Sequence, residues 1–251
     1  MNSRTTNPAE RRNKQEYLRE VEIFQDLAAE ELAHLGAYAP MQRVAAGTVF
    51  YSAEETSEVL FILKEGRVRL YQLSPDGKIL TTALLEAGTI FGEMALLGQG
   101  LHGSYAEALT PCLLCLMSRE DVKSRLLGDV RIAFRITEML GRRLIDAERR
   151  MSDFAFKKLP ERIASLLLHL AAQPRARFLG RDRPEVRSTH EALAEMVGTY
   201  RETVTKILNE LQAAGLIELR RGKILLVDTV GLERFQLGHG APRSPADTES
   251  S

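Results

Sequence analysis

Between Ser188 and Lys223 the chain reads STHEALAEMVGTYRETVTKILNELQAAGLIELRRGK. Tyr200, Arg201, Thr203, Thr205 and Lys206 fall on the polar side of a helical pattern in this run. A short helix that presents Arg, Lys and hydroxyls from its first turns suits a DNA major groove, where those groups can donate to base edges and phosphates.

Two helices and a tight turn must position them. Ser188 with Glu191, and Thr199 with Glu202, each have the spacing of a capping box, so two helix starts are predicted, with Gly198 as the joint. Leu193, Met196, Val197, Val204, Ile207, Leu208 and Leu211 can share one small core. A basic hairpin follows, and the whole reads as a helix-turn-helix with a wing. Charge agrees. Residues 155–227 hold 13 Lys and Arg against 8 Asp and Glu, whereas residues 20–115 hold 5 against 13, although the full chain of 251 residues is formally neutral. The polyanion-facing side is C-terminal.

Upstream the period changes. After a helical segment from Tyr17 to Leu35, short β-rich runs are punctuated by Gly66, Pro75-Asp76-Gly77 and Gly88, which predicts an antiparallel barrel or jelly roll. The fold class is therefore α+β. Cys112 and Cys115 lie in an apolar strand-like run with no further cysteine to complete a metal site, and read as buried structural thiols. From Val130 a heptad runs through Ala133, Thr137, Leu140, Leu144, Ala147, Met151 and Phe154, a coiled-coil seam that predicts a homodimer. The organisation is then a flexible arm at 1–19, an effector-type barrel at 20–117, a dimerisation helix and hinge at 118–156, a winged helix-turn-helix at 157–235 and a disordered tail at 236–251. No apolar run is long enough to span a bilayer, so a cytoplasmic protein without a membrane partner is expected.

That order of parts resembles the CRP/FNR family of bacterial transcription regulators. The resemblance covers roughly residues 20 to 235 and rests on GRVRLYQLSPDGK, FGEMALL, FAFKKLPERIASLLLHLA and GTYRETVTKILNELQAAGLI. It implies a dimeric, sequence-specific double-stranded DNA binder that works with RNA polymerase. In the cAMP-receptor-like branch, an Arg-Glu pair followed by a basic residue reads a TGTGA-type half-site. The matching positions are Arg201, Glu202 and Lys206. Arg can bond guanine N7 and O6 bidentately and Glu can accept from cytosine N4, while Lys206 replaces a planar fork with a point donor. Thr189, Arg220 and Arg221 match phosphate-contacting positions, which orient a protein without specifying sequence. Tyr200 is larger than the small residue often found there.

The implied effector pocket departs from the family pattern. Gly92, Glu93 and Ser104 match, but Gly103 stands where a cAMP-binding member carries Arg. Such a pocket loses a charge-assisted hydrogen bond to a cyclic phosphate, about 1.5–3 kcal/mol. Ala147 and Glu148 replace a Thr-Ser pair that meets the adenine, offering a methyl and a negative charge instead. Binding of cAMP is therefore disfavoured and no cofactor is expected. An iron–sulfur cluster fails for want of N-terminal cysteines, and none of His34, His102 or His169 stands out as a haem ligand. The competing readings are a regulator that needs cAMP or another small ligand, and a cyclic-nucleotide signalling module whose winged helix binds protein. No nucleophile–base pair, carboxylate pair or metal cluster suggests an enzyme.

Overall fold

The computed structural model describes residues 16–52, 59–92, 104–172 and 184–238. The N-terminal arm up to residue 15, the tail from residue 239, and Glu93, His102 and Gly103 lie outside the described residues. Two compact units divide the chain, one from 1–77 with 82–143, the other from 78–81 with 144–251.

In the first unit, eight strands form two four-stranded sheets. They are β1 (Met41–Val44), β2 (Val49–Tyr51), β3 (Val59–Glu65), β4 (Arg67–Leu73), β5 (Ile79–Glu86), β6 (Ile90–Phe91), β7 (Ser104–Ala108) and β8 (Cys112–Ser118). One sheet has the order β1-β8-β3-β6 and the other β2-β7-β4-β5. Strand β8 pairs antiparallel with both β1 and β3, and β7 with both β2 and β4. This is the antiparallel double sheet expected from the glycine-punctuated runs.

The apolar runs LFIL and CLLCLM are continuous because β3 and β8 are buried on both faces. Phe61, Leu63, Cys112 and Leu114 point between the sheets, where Phe61 stacks on Phe91 with centroids 4.8 Å apart. Leu60, Ile62, Cys115 and Met117 point the other way, onto a layer of helices. The two cysteines thus serve different cores, and both are buried thiols not joined in a disulfide.

That helical layer includes α1 (Ala29–Tyr38) and the first half of α2 (Val130–Phe156). The helix expected from Tyr17 to Leu35 is interrupted. A separate 3₁₀ turn spans Glu22–Phe24, and α1 starts afresh where Glu31 accepts the Ala28 N–H at 2.7 Å, so Gly36 sits inside a helix and not at its end. Helix α2 inserts Ile132 and Met139 into the same core as Leu18, Phe24 and Leu32. Ion pairs fix its register: Arg131 meets Glu31 at 2.7 Å and Arg135 meets Asp26 at 2.7 Å.

The second unit carries the C-terminal half of α2, then α3 (Leu159–Ala172), β9 (Glu185–Val186), α4 (His190–Val197), α5 (Arg201–Ala213), β10 (Ile217–Arg220), β11 (Lys223–Leu226) and α6 (Thr229–Gln236). The strands form a sheet of order β10-β11-β9. Its core includes Ile163, Leu167, Leu193, Val204, Leu208, Ile224 and Leu232. A buried polar knot locks the end of α2 to α3. Asp153 accepts from Ser165 at 2.7 Å and pairs with Lys157 at 2.7 Å, and Lys157 also reaches Gln236 of α6 at 3.3 Å. Its polar atoms partner one another, which is what makes a buried carboxylate tolerable.

Candidate nucleic-acid interface

Helix α4 must stop abruptly for α5 to cross it. Gly198 supplies the stop by adopting a left-handed conformation, φ 67°, which costs glycine little. The following Thr199 N–H then bonds the Ala194 carbonyl at 2.9 Å. All seven apolar residues assigned to the helix-turn-helix core are buried.

Both helix starts lie one residue beyond the positions predicted from the capping-box spacing. Thr189, not Ser188, caps α4, its hydroxyl accepting the Ala192 N–H at 3.1 Å. Helix α5 is entered from Tyr200, not Thr199, and Tyr200 offers no side-chain cap. The physical reason is that the Gly198 turn uses Thr199 to close α4, which pushes the next helix on by one. Glu202 is consequently not a capping acid and remains exposed.

Arg201, Glu202 and Lys206 are all exposed on α5, and among the described residues none of the three side chains is paired within the protein. Tyr200 is 64% exposed, with the Lys78 ammonium 4.5 Å from its ring centroid. Thr203 is half-buried, and Thr199 lies half-buried in the turn. Thr189 accepts in the cap, so its hydroxyl proton stays available for a phosphate.

The wing is a two-residue hairpin. Arg220 pairs with Lys223 across it, and Gly222 at the tip has φ 74°. The two wing arginines differ. Arg220 is tied to Glu218 at 2.7 Å, whereas Arg221 at the tip forms no ion pair among the described residues. Gln212 of α5 accepts the Leu219 N–H at 2.7 Å, and the wing is held to the helix in that way. Between wing and helices opens a cleft of about 500 Å³ lined by Thr189, His190, Arg201, Arg220 and Lys223.

Two residues that the sequence did not single out organise this surface. His190 Nδ1 lies 2.8 Å from the Thr205 hydroxyl, joining α4 to α5. Glu185, only 4% exposed, takes Arg187 at 2.9 Å and Lys223 at 3.2 Å, anchoring the wing to β9. Burial works to raise the Glu185 pKa, but hydrogen bonds from Arg187 and Lys223 outweigh it and hold the carboxyl below its ordinary value.

The remaining candidates are dispersed. Gly92 has φ +84°, and a Cβ there would sit 2.5 Å from the Val59 carbonyl oxygen, so backbone packing alone requires glycine. Ser104 opens β7 opposite Gln72. Ala147 and Glu148 are exposed on α2. Of the heptad positions, Val130, Thr137, Leu144, Ala147, Met151 and Phe154 are exposed and Ala133 is half-buried, but Leu140 packs against the barrel-side core. Other large apolar side chains exposed on α2 include Phe134 (62%), alongside Leu144 (59%) and Met151 (67%) of the predicted stripe. Phe154 instead stacks under the Arg162 guanidinium at 4.4 Å.

Comparison with known families places both units. A cyclic nucleotide-binding domain matches residues 41–128, and a Crp-like helix-turn-helix domain matches residues 161–235. The cyclic AMP receptor protein of Thermus thermophilus is 30% identical over 216 residues, which is 86% of this chain and 97% of that protein. The transcriptional regulator SdrP of the same organism is 36% identical over 179 residues, 71% of this chain and 84% of that protein. The crystal structure of a CRP/FNR-family transcriptional regulator, also from Thermus thermophilus, matches with a TM-score of 0.64 at 32% identity, covering 80% of this chain and all of that one.

The Glu185 clamp has a signed pH signature. A carboxyl held below its unfolded value stabilises the fold above about pH 4.5, and that contribution is lost as pH falls through the lower native pKa. Glu185→Gln should lower the melting midpoint of the C-terminal unit by roughly 4–8 °C at neutral pH. In calorimetric scans the deficit should shrink to nothing in acid, where the native carboxylate is protonated. A deficit that persists unchanged in acid contradicts the clamp.

Proposed function

Because the chain belongs to the CRP/FNR family of transcription regulators, we propose that it acts as a homodimer on an inverted TGTGA-type repeat and does so without cAMP. The observation that carries the base readout is the exposed set Arg201, Glu202 and Lys206 at the start of α5, whose side chains are unpaired among the described residues. Unpaired groups keep their full hydrogen-bonding capacity for a base edge, and Glu202 is free of a capping role. Arg221 supplies a phosphate contact from the wing tip, and Arg220 a weaker one because Glu218 already neutralises it.

Homodimer formation is supported by the bare apolar stripe of α2. Phe134, Leu144 and Met151 are each worth about 1.5–3 kcal/mol if buried, and a second copy of the same helix offers a complementary seam. Two-fold pairing would present two α5 helices to two half-sites. RNA polymerase is the partner such a regulator would engage.

The residues available for a cyclic nucleotide do not fit it. Gly103 brings no cation to the cyclic phosphate, Ala147 offers only a methyl, and Glu148 adds a carboxylate on the exposed seam. No step in the proposed action is routed through cAMP.

Fluorescence-anisotropy titration of an inverted TGTGA/TCACA duplex against a scrambled duplex tests this reading. Specific binding should be tight and unchanged by cAMP at fixed, near-physiological salt. Binding that requires cAMP would restore the ligand-dependent reading, and no preference for the repeat would sink the half-site. Arg201→Ala is expected to cost about 1–3 kcal/mol on the repeat and to relax one base position. Arg221→Ala should instead weaken both duplexes alike and flatten the salt dependence. Leu144→Asp should yield monomers in sedimentation velocity with the fold retained by circular dichroism; a dimer that survives it contradicts the α2 seam.

A further inference from the structure

His190 follows the cap of α4 and lines the cleft bounded by Arg201, Arg220 and Lys223. Its Nδ1 is 2.8 Å from Thr205 Oγ1, and the same hydroxyl is 2.9 Å from the Arg201 carbonyl oxygen. A threonine hydroxyl has one proton to give. Given to the Arg201 carbonyl, it leaves Thr205 as acceptor and makes His190 Nδ1 the donor, so both contacts are satisfied. Given to His190, it leaves two oxygens facing each other at 2.9 Å with no proton between them. The first arrangement is the favourable one, and it fixes the neutral ring as the Nδ1–H tautomer. Nε2, the ring's other polar atom, then carries a lone pair.

We propose that DNA binding by this protein takes up a proton at His190, which thereby becomes a cationic phosphate ligand in the cleft between α4, α5 and the wing. A neutral imidazole of this tautomer offers a phosphate oxygen only a lone pair at Nε2. Protonation converts Nε2 to N–H and adds a charge, while the Nδ1 bond to Thr205 is kept in both states. The ring need not move; only the chemistry of its free atom changes.

The charged surroundings set the coupling. The same helix carries Glu191, which lines the cleft, and Glu195, which accepts from Thr81 at 3.3 Å. Helix α5 contributes Arg201, and the wing contributes Arg220, paired with Glu218, and Lys223, paired with Glu185. The wing cations are thus balanced by carboxylates, whereas Arg201 has no partner among the described residues and opposes a second positive charge nearby. A phosphate reverses that local balance, so its binding favours the protonated ring. By linkage, a proton taken up on binding makes affinity rise as pH falls.

This inference rests on the DNA-binding reading, and its test separates the two. Full-length wild type, His190→Asn and His190→Arg are titrated with the repeat duplex and with the scrambled duplex, at one salt concentration, from about pH 8 to about pH 6. Asparagine keeps an N–H donor near the Nδ1 position but cannot titrate. Wild type should tighten about ten-fold on both duplexes as pH falls, because a phosphate contact is indifferent to sequence. His190→Asn should be flat and no tighter than wild type at the alkaline end, and His190→Arg flat and tight throughout. Calorimetry in two buffers of different ionisation enthalpy should count about one proton taken up per half-site by wild type and none by either variant. The proposal is overturned if wild type is flat, or if His190→Asn keeps the wild-type pH dependence. Lost preference for the repeat with the pH dependence intact would remove the half-site assignment alone. No binding to either duplex would remove both.

Discussion

One helix has to satisfy two apolar surfaces at once, and much of the molecule follows from that constraint. Helix α2 gives Ile132 and Met139 to the barrel-side core and leaves Phe134, Leu144 and Met151 bare. A 27-residue helix with polar residues on the second face would be content as a strut. With large apolar groups there it is an unfinished interface, and exposed stripes of this kind are what two-fold partners cover. The same helix ends in the Asp153, Ser165 and Lys157 knot, which ties it to α3 through side-chain bonds. A rigid, fully partnered polar joint carries a displacement better than an apolar contact that can slide.

The recognition surface is built by a comparable economy. Gly198 closes α4, and Thr199 belongs to that closure, so α5 begins with residues that owe nothing to capping. Arg201 and Glu202 therefore enter the first turn with their side chains uncommitted. The wing, by contrast, is heavily committed: Glu185 holds Lys223, Glu218 holds Arg220, and Gln212 holds the Leu219 amide. Fixed supports surround a few free groups, which is how a surface can be rigid and still have hydrogen bonds left to offer.

How much of this was legible depended on the range of the interaction. The seven core residues from Leu193 to Leu211 follow from a 3.6-residue period, and each is buried. Strands β3 and β8 could be read as strands, but not their two-sided burial, since a continuous apolar run looks alike in either case. Ser188, with Glu191 three residues on, reads as the start of α4, and only the structure shows the neighbouring Thr189 hydroxyl taking the cap. Along the heptad stripe, Leu140 packs against the barrel-side core and Phe154 lies under Arg162, contacts that the repeat alone does not reveal. Glu185 and His190 were invisible because their partners, Lys223 and Thr205, lie 38 and 15 residues away. Local pattern finds faces; it does not find the long-range pairs that hold those faces together.

The proposed independence of cAMP poses the question of what would keep a family member competent without that ligand. A ligand can shift a two-state equilibrium only by its differential affinity for the two states. Moving a population from about one per cent to about ninety-nine per cent takes about 5.5 kcal/mol, whichever interactions supply it. Along the α2 seam, burying Phe134, Leu144 and Met151 in both copies could contribute energy of that order. In the proposed dimer, Gly141 on the same helix would let two backbones approach closely, and Glu148 would face a like charge from the second copy. The register of the dimer helix would then be set by seam packing, and the DNA-competent state would be written into the sequence of α2 instead of into a pocket. Expression level, together with the proton balance around His190, would be left to govern occupancy of the DNA.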